Sequence, residues 1–299
     1  MSRTLIAPPS AFFASRLRHE LSVRNRRYAA QLGLSMCETY GEMPAVCYQP
    51  SEDGSRHGNF RPESYRAILA NENWSKRLDK VHTQARTSLP RLDRRWRELD
   101  SCNSSDALLM NIFCFPETLQ EAPVANFLDI EDGAIPQFGF RARVPLSNGK
   151  SDRTEVDMLL GNLLVESKLI EFDFQSKVEV VVESYRDLDE VFEVNSLPKK
   201  DGCYLSYQLI RNVLAAHANQ CSFCVMADAR RPDLRESWYA VMSSIRIVDL
   251  RLRCKMLTWQ ELAQWLPNKL QNFLRDKYGI GAGLVDFDAE YDSHLAAGD

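Results

Sequence analysis

Two acidic residues and a lysine are spaced so that one β-hairpin would bring them together. Gly161 and Asn162 separate two segments rich in β-branched and other apolar residues, and a two-residue turn with glycine first is typical of antiparallel hairpins. This turn predicts that Leu160 pairs with Leu163, Leu159 with Leu164, Met158 with Val165, Asp157 with Glu166, Val156 with Ser167, and Glu155 with Lys168. We therefore expect Asp157 and Glu166 to face each other directly.

Alternation along the two strands predicts one apolar face and one charged face. The apolar face would hold Val156, Met158, Leu160, Leu163 and Val165, and the charged face would hold Glu155, Asp157, Glu166 and Lys168. Directly opposed residues have Cβ atoms about 5 Å apart, and two carboxylates at that distance repel by roughly 3 kcal/mol at an effective dielectric of ~20. This repulsion requires a compensating positive charge.

A hard divalent cation would supply that charge, because Mg²⁺, or Mn²⁺ as a substitute, prefers oxygen ligands and is often held by one or two carboxylates plus substrate phosphate. Lys168 on the same face could hold or polarise the attacking water and stabilise negative charge developing on the phosphate. Glu155 on that face is a further catalytic candidate. These residues are suited to hydrolysing a phosphodiester.

The surrounding sequence predicts an α/β fold with a mixed sheet. Ser104, Ser105 and Asp106 precede an apolar segment that ends before Pro116, which predicts a helix over 107–115. The following elements are predicted as strands over 138–144, 154–160 and 163–170, a helix over 204–219, a strand over 221–227 and more strand over 237–252. Thr258 and Glu261 fit a capping box that opens a last helix, which ends at Gly279.

Asp157, followed after eight residues by Glu166-Ser167-Lys168, resembles the Asp…(Asp/Glu)-x-Lys signature of the PD-(D/E)XK nuclease superfamily, which has the restriction-endonuclease-like fold. The resemblance implies an αβββαβ core with a mixed central sheet, a helical basic N-terminal region and a C-terminal helix. It also implies Asp157, Glu166 and the Ser167 carbonyl as metal ligands and Lys168 as the catalytic lysine. Two segments, 104–111 and 231–234, are similar to an uncharacterised bacterial branch, so the resemblance covers about residues 70–280.

Three other positions bear on the resemblance. The helix after the third strand often carries a polar residue toward the site in this superfamily, and Gln208 or Arg211 would match it. An upstream acid on the first core helix is also common, and Glu117 or Glu98 is available here. Val156 stands where a proline often precedes the aspartate, but that proline is dispensable across the superfamily.

Charge is unevenly distributed along this chain of 299 residues with a formal net charge of -4. Residues 1–100 hold 17 of the 37 Lys and Arg residues but only 11 of the 41 Asp and Glu residues, so this part is basic and the remainder is acidic. The predicted organisation is a basic arm and linker over 1–62, a nuclease-like domain over 63–280, and a flexible acidic tail over 281–299. The domain would combine a basic helical layer (63–100) with a catalytic core (101–280).

The basic layer is the available cation source for binding a nucleic-acid backbone. The candidate contacts are Arg77, Arg86, Arg91, Arg94 and Arg95, together with Arg211. The resemblance implies a DNA substrate, and the sequence leaves RNA open. A homodimer would let an enzyme with one site cut both strands. No segment reaches 18 consecutive apolar residues and the N terminus lacks an apolar signal core, so we expect a cytoplasmic protein without a membrane partner.

These features predict a metal-dependent nuclease that hydrolyses DNA, of a restriction type or a defence or repair type. Two alternatives remain at this point. The charged residues could form a solvated strand face, since a chain with 26% charged residues produces such spacing by chance. Alternatively, the fold could serve a noncatalytic nucleic-acid-binding or regulatory protein.

Overall fold

The computed structural model describes residues 9–39, 44–80, 97–120 and 122–281. Its helices are α1 (Pro9–Leu32), α2 (Pro62–Ala70), α3 (Glu72–Ser75), α4 (Ser105–Phe113), α5 (Ala122–Leu128), α6 (Glu179–Val182), α7 (Leu188–Val191), α8 (Tyr207–Asn219), α9 (Pro232–Met242), α10 (Val248–Leu252), α11 (Trp259–Ala263) and α12 (Asn268–Tyr278). Its strands are β1 (Met36–Glu38), β2 (Val46–Tyr48), β3 (Gln137–Arg141), β4 (Val144–Pro145), β5 (Ser151–Asp152), β6 (Glu155–Leu160), β7 (Leu163–Ser167), β8 (Lys177–Val178), β9 (Lys199–Lys200), β10 (Cys203–Tyr204), β11 (Ser222–Ala227) and β12 (Cys254–Thr258).

A five-stranded mixed sheet forms the centre of the fold, in the order β12-β11-β7-β6-β3. Strands β3, β6 and β7 are antiparallel neighbours, whereas β7, β11 and β12 run parallel. Helix α4 precedes the antiparallel strands, and α8 connects β7 to β11. The predicted α/β class with a mixed sheet is confirmed, and the elements of the sheet follow the predicted order of helix, three strands, helix and strand.

Hydrophobic cores cover both faces of this sheet. Along β11, Phe223 and Val225 pack into a first core with α8, whereas Cys224 and Met226 pack into a second core with residues of α1, α4 and α12. Successive residues of a strand point to opposite faces, so the sheet lies between two helical layers. A strand buried on both faces is expected to be wholly apolar or nearly so, as β11 is.

Within the predicted basic arm and linker over 1–62, residues 9–32 form helix α1. Leu17 and Leu21 are buried in the second core, and Asn25 donates a hydrogen bond to the carbonyl of Lys277 on α12. Residues 9–32 are thus part of the folded domain rather than a free arm. The predicted tail over 281–299 lies outside the described residues, apart from Gly281.

The strand predicted over 237–252 is wrong, because α9 and α10 occupy this region. Leu234, Trp238 and Val241 are buried at helical spacing, and Pro232 stands in the first turn of α9, where a missing N–H costs no hydrogen bond. The predicted capping box of Thr258 and the left-handed Gly279 are both observed, but two helices, α11 and α12, lie between them.

Two further features concern the described residues. No helix among them is long and apolar enough to cross a membrane. The eight cysteines, all of which lie among them, are free thiols.

Candidate active site

The hairpin of β6 and β7 has the predicted turn and the predicted register near that turn. Gly161 takes a φ of 59°, which a residue with a side chain rarely adopts. The observed pairs are Leu160 with Leu163, Leu159 with Leu164, and Met158 with Val165. These pairs bring the C-terminal half of β6 beside the start of β7.

The register fails beyond Met158 and Val165, where the ladder ends. The predicted pairs of Asp157 with Glu166, Val156 with Ser167, and Glu155 with Lys168 are absent from it. Val156 also packs into the first core, whereas Met158 and Leu160 pack into the second, so the prediction of one apolar face is wrong.

The neighbouring strand explains this change of face. Gly139 of β3 has a φ of 66°, and its two neighbours, Phe138 and Phe140, pack against opposite cores. Residues 138 and 140 pair with Met158 and Val156. Both strands therefore rotate at the same level, and Asp157 lies at the point of rotation.

Asp157 bonds to the end of β7 through its side chain. Its Oδ2 accepts a hydrogen bond from the Ser167 N–H at 2.7 Å, which takes the place of a ladder bond. Burial raises the pKa of Asp157 well above its usual range, and the carboxylates of Glu166 and Asp106 raise it further. The residue as a whole is half-buried.

Glu166 and Lys168 form a buried ion pair next to Asp157. Lys168 Nζ lies 2.9 Å from Glu166 Oε1, and the two side chains are only 4% and 3% exposed. Burial by itself lowers the pKa of Lys168, but the carboxylates of Glu166, Glu171 and Asp157 outweigh it and raise the pKa above its usual value. Lys168 is therefore a charged ammonium at neutral pH.

Helix α8 holds this ion pair from one side. Gln208 Oε1 accepts a hydrogen bond from Lys168 Nζ at 2.8 Å, and Asn212 Nδ2 donates to Glu166 Oε2 at 2.8 Å. Gln208 and Asn212 are four residues apart and so lie on one face of the helix. The sequence prediction named Gln208 but missed Asn212, although its spacing from Gln208 was a usable signal.

Arg211 faces the protein rather than solvent. It is 3% exposed, and its Nη2 donates to the Asn212 side-chain oxygen at 2.7 Å and to the Glu155 carbonyl at 3.0 Å. These bonds fix the orientation of the Asn212 amide. The Arg211 guanidinium is thus occupied by partners within the protein, and its expected contact with a phosphate backbone stays a prediction.

Arg77 makes ion pairs within the protein, and its predicted contact with nucleic acid stays a prediction. Its guanidinium bonds Asp106 at 2.7 Å and Glu155 at 3.1 Å, and its side chain is 14% exposed. Glu155 is thereby directed to Arg77 and to Arg141, 3.6 Å away, rather than to Asp157. The other predicted contacts, Arg86, Arg91, Arg94 and Arg95, lie outside the described residues.

Asp106 occupies the place expected for an upstream acid on the first core helix, which is α4. It is buried at the start of α4, and its charge contributes to the raised pKa of Asp157. Of the two residues predicted for this place, Glu117 is exposed beyond the end of α4, and Glu98 bonds Lys80 at 3.1 Å. In the sequence, Asp106 has only the pattern of a residue that begins a helix, which does not indicate its position near the site.

The donor chemistry at this centre fits a hard divalent cation. The carboxylates of Asp157 and Glu166 would supply oxygen ligands. Burial and the neighbouring acids raise the pKa of Asp157, and a bound cation would offset both effects by stabilising its charged form. In the described part of the chain, no group of three His, Cys, Asp or Glu side chains could hold a metal by itself. A cation here would rely on two carboxylates, with the Ser167 carbonyl, water or substrate as further ligands.

One comparison with known proteins gives a family. No curated protein and no solved structure matches the chain. A family model described as "Restriction Endonuclease associating with ARP" matches residues 34–279, which contain the whole central sheet and every residue of the site described above. The chain therefore belongs to this restriction endonuclease family.

Proposed function

We propose that this protein is a metal-dependent nuclease of the PD-(D/E)XK type that hydrolyses DNA phosphodiester bonds. The observation that carries the proposal is the buried group of Asp157, Glu166 and Lys168 where β6 and β7 separate. The order of the sheet elements and the name of the family support a restriction-endonuclease-like fold and a DNA substrate. RNA is the second polyanion to test.

Each residue has a distinct task in this proposal. Asp157 and Glu166 would hold Mg²⁺ or Mn²⁺, which supplies polarisation of a phosphoryl oxygen and acidification of a water. Lys168, kept charged by its neighbours, would orient the attacking water and stabilise negative charge on the phosphate. Gln208 and Asn212 would hold Lys168 and Glu166 in position.

Hydrolysis of plasmid DNA tests the proposal. Wild-type protein should nick or cut DNA in the presence of Mg²⁺ or Mn²⁺. Chelating the metal should stop this cleavage. Asp157→Asn, Glu166→Gln and Lys168→Met should each lower the rate by about 10²-fold or more. Glu117→Gln is the matched control, because Glu117 is an exposed acid outside the centre. Wild-type rates in all three site variants would refute the assignment.

A noncatalytic nucleic-acid-binding protein is the second candidate. It is favoured by one observation, that Lys168 and Asn212 already donate to both oxygens of Glu166. This candidate predicts salt-sensitive DNA binding without turnover. Calorimetric titration with Mg²⁺ distinguishes the two candidates. The nuclease requires Mg²⁺ binding that Asp157→Asn abolishes, whereas the noncatalytic protein does not require Mg²⁺ binding.

A further inference from the structure

An exposed aromatic ring lies beside the proposed centre with a cation over it. Phe172 follows β7 and is 48% exposed, whereas Leu169 and Phe174 in the same segment are fully buried. The guanidinium carbon of Arg18, from α1, lies 5.8 Å from the centre of the Phe172 ring. Arg18 is partly buried and lies near the Glu171 carboxylate. Neither Arg18 nor Phe172 has a role in the proposed hydrolysis.

The segment that carries Phe172 is held rigidly. The fully buried side chain of Arg231 donates hydrogen bonds to the carbonyls of Leu169, Glu171 and Phe172 at 3.3, 2.7 and 3.1 Å. Glu171 in turn accepts hydrogen bonds from the hydroxyl of Ser105 and from a backbone N–H. Phe172 is thus fixed in place by its backbone while its ring remains exposed.

This segment is also close to the proposed centre. Phe172 is four residues beyond Lys168, and four residues of extended chain span at most roughly 14 Å. Within the segment, Phe174 is buried and its ring centre lies 5.5 Å from Lys168 Nζ. The exposed ring therefore lies within a few nucleotides of any phosphate that contacts Lys168.

We propose that Phe172 and Arg18 form a binding site for one nucleotide of a nucleic-acid strand, adjacent to the phosphodiester that is cut. A base would stack on the exposed surface of Phe172, and Arg18 would pair with a backbone phosphate. Sites that bind single strands combine these two components, since every base has a π-face and every nucleotide has a negative charge. This inference rests on the proposed function, because the strand must pass the centre.

Binding of a labelled single-stranded oligonucleotide to the full chain, measured by fluorescence anisotropy in EDTA, tests the inference. Phe172→Ala should weaken binding roughly 5- to 100-fold, and Phe172→Trp should retain it. Arg18→Ala should reduce the slope of log affinity against log salt by about 0.7, whereas Phe172→Ala should leave the slope unchanged. Tyr239→Ala is the matched control, because Tyr239 is 64% exposed on α9.

The outcomes separate this inference from the proposed function. If wild-type protein cuts DNA and Phe172→Ala binds the oligonucleotide as tightly as wild type, the nucleotide site is refuted and the nuclease stands. If Phe172→Ala and Tyr239→Ala weaken binding equally, the nucleotide site is also refuted. A wild-type protein that neither binds nor cuts nucleic acid refutes both.

Discussion

The buried pair of Glu166 and Lys168 allows a quantitative test of the site. At 2.9 Å between Nζ and Oε1, the two charges attract by roughly 6 kcal/mol at an effective dielectric of ~20. Lys168→Met leaves the Glu166 carboxylate buried with Asn212 as its remaining donor. Removing one partner of a buried pair costs about 3–5 kcal/mol, so we expect a loss of that size in the free energy of unfolding.

Urea unfolding of four proteins measures this coupling. Lys168→Met and Glu166→Gln should each destabilise the fold, but the double variant should lose less than the sum, because it leaves no unpaired buried charge. Lys76→Met supplies a control on an exposed helical pair with Glu72, where solvent screens the charges and a much smaller loss than at Lys168 is expected. Additive losses in the double variant would refute a coupled pair.

Metal extends the same test. If a cation binds beside Glu166, Mg²⁺ should restore stability to Lys168→Met, by about 2.7 kcal/mol at one hundred times the dissociation constant. The gain arises because the cation replaces the missing ammonium as a partner for the acids. Equal unfolding curves with and without Mg²⁺ would contradict the reasoning.

Two further predictions concern the framework around the site. Gly139→Ala should destabilise the fold more than Gly149→Ala. Both glycines have a positive φ, but a Cβ at 139 would clash with Arg77 Nη1, whereas a Cβ at 149 would meet no atom within 4 Å. Equal losses of stability in thermal unfolding would contradict this prediction. The buried Lys277, 3.7 Å from the Tyr48 ring, has a pKa that burial lowers well below its usual value, so the unfolded chain binds more protons than the folded protein between that lowered pKa and about pH 10.4. Stability should therefore rise with pH from 7 to 9 more steeply in wild type than in Lys277→Met, and parallel curves from urea unfolding would count against it.

Local sequence patterns were enough to predict the hairpin but not the full geometry of the site. The glycine turn at 161–162 and the apolar pattern of its flanks determine the register near the turn. Asp157 departs from that register because β3 and β6 rotate at Gly139, which is distant in sequence. No local pattern contains this information.

Residues that approach the site from other elements were harder to predict. Asp106 and Arg77 come together only through packing of α4 against the segment after α3, so their pairing has no sequence signature. The stretch around Ile245 and Ile247 has the β-branched residues of a strand, yet it only connects α9 to α10, and Ile245 forms an isolated β-bridge with Phe192. The helical spacing of Leu234, Trp238 and Val241 carried the correct information.

The proposed nuclease site requires that Asp157 and Glu166 hold a divalent cation beside Lys168. A crystal soaked in Mn²⁺ and measured at the manganese absorption edge tests it most directly. We expect an anomalous peak between the two carboxylates, within coordination distance of their oxygens, that is lost in Asp157→Asn. Diffraction of good quality with no peak at this position would contradict the account.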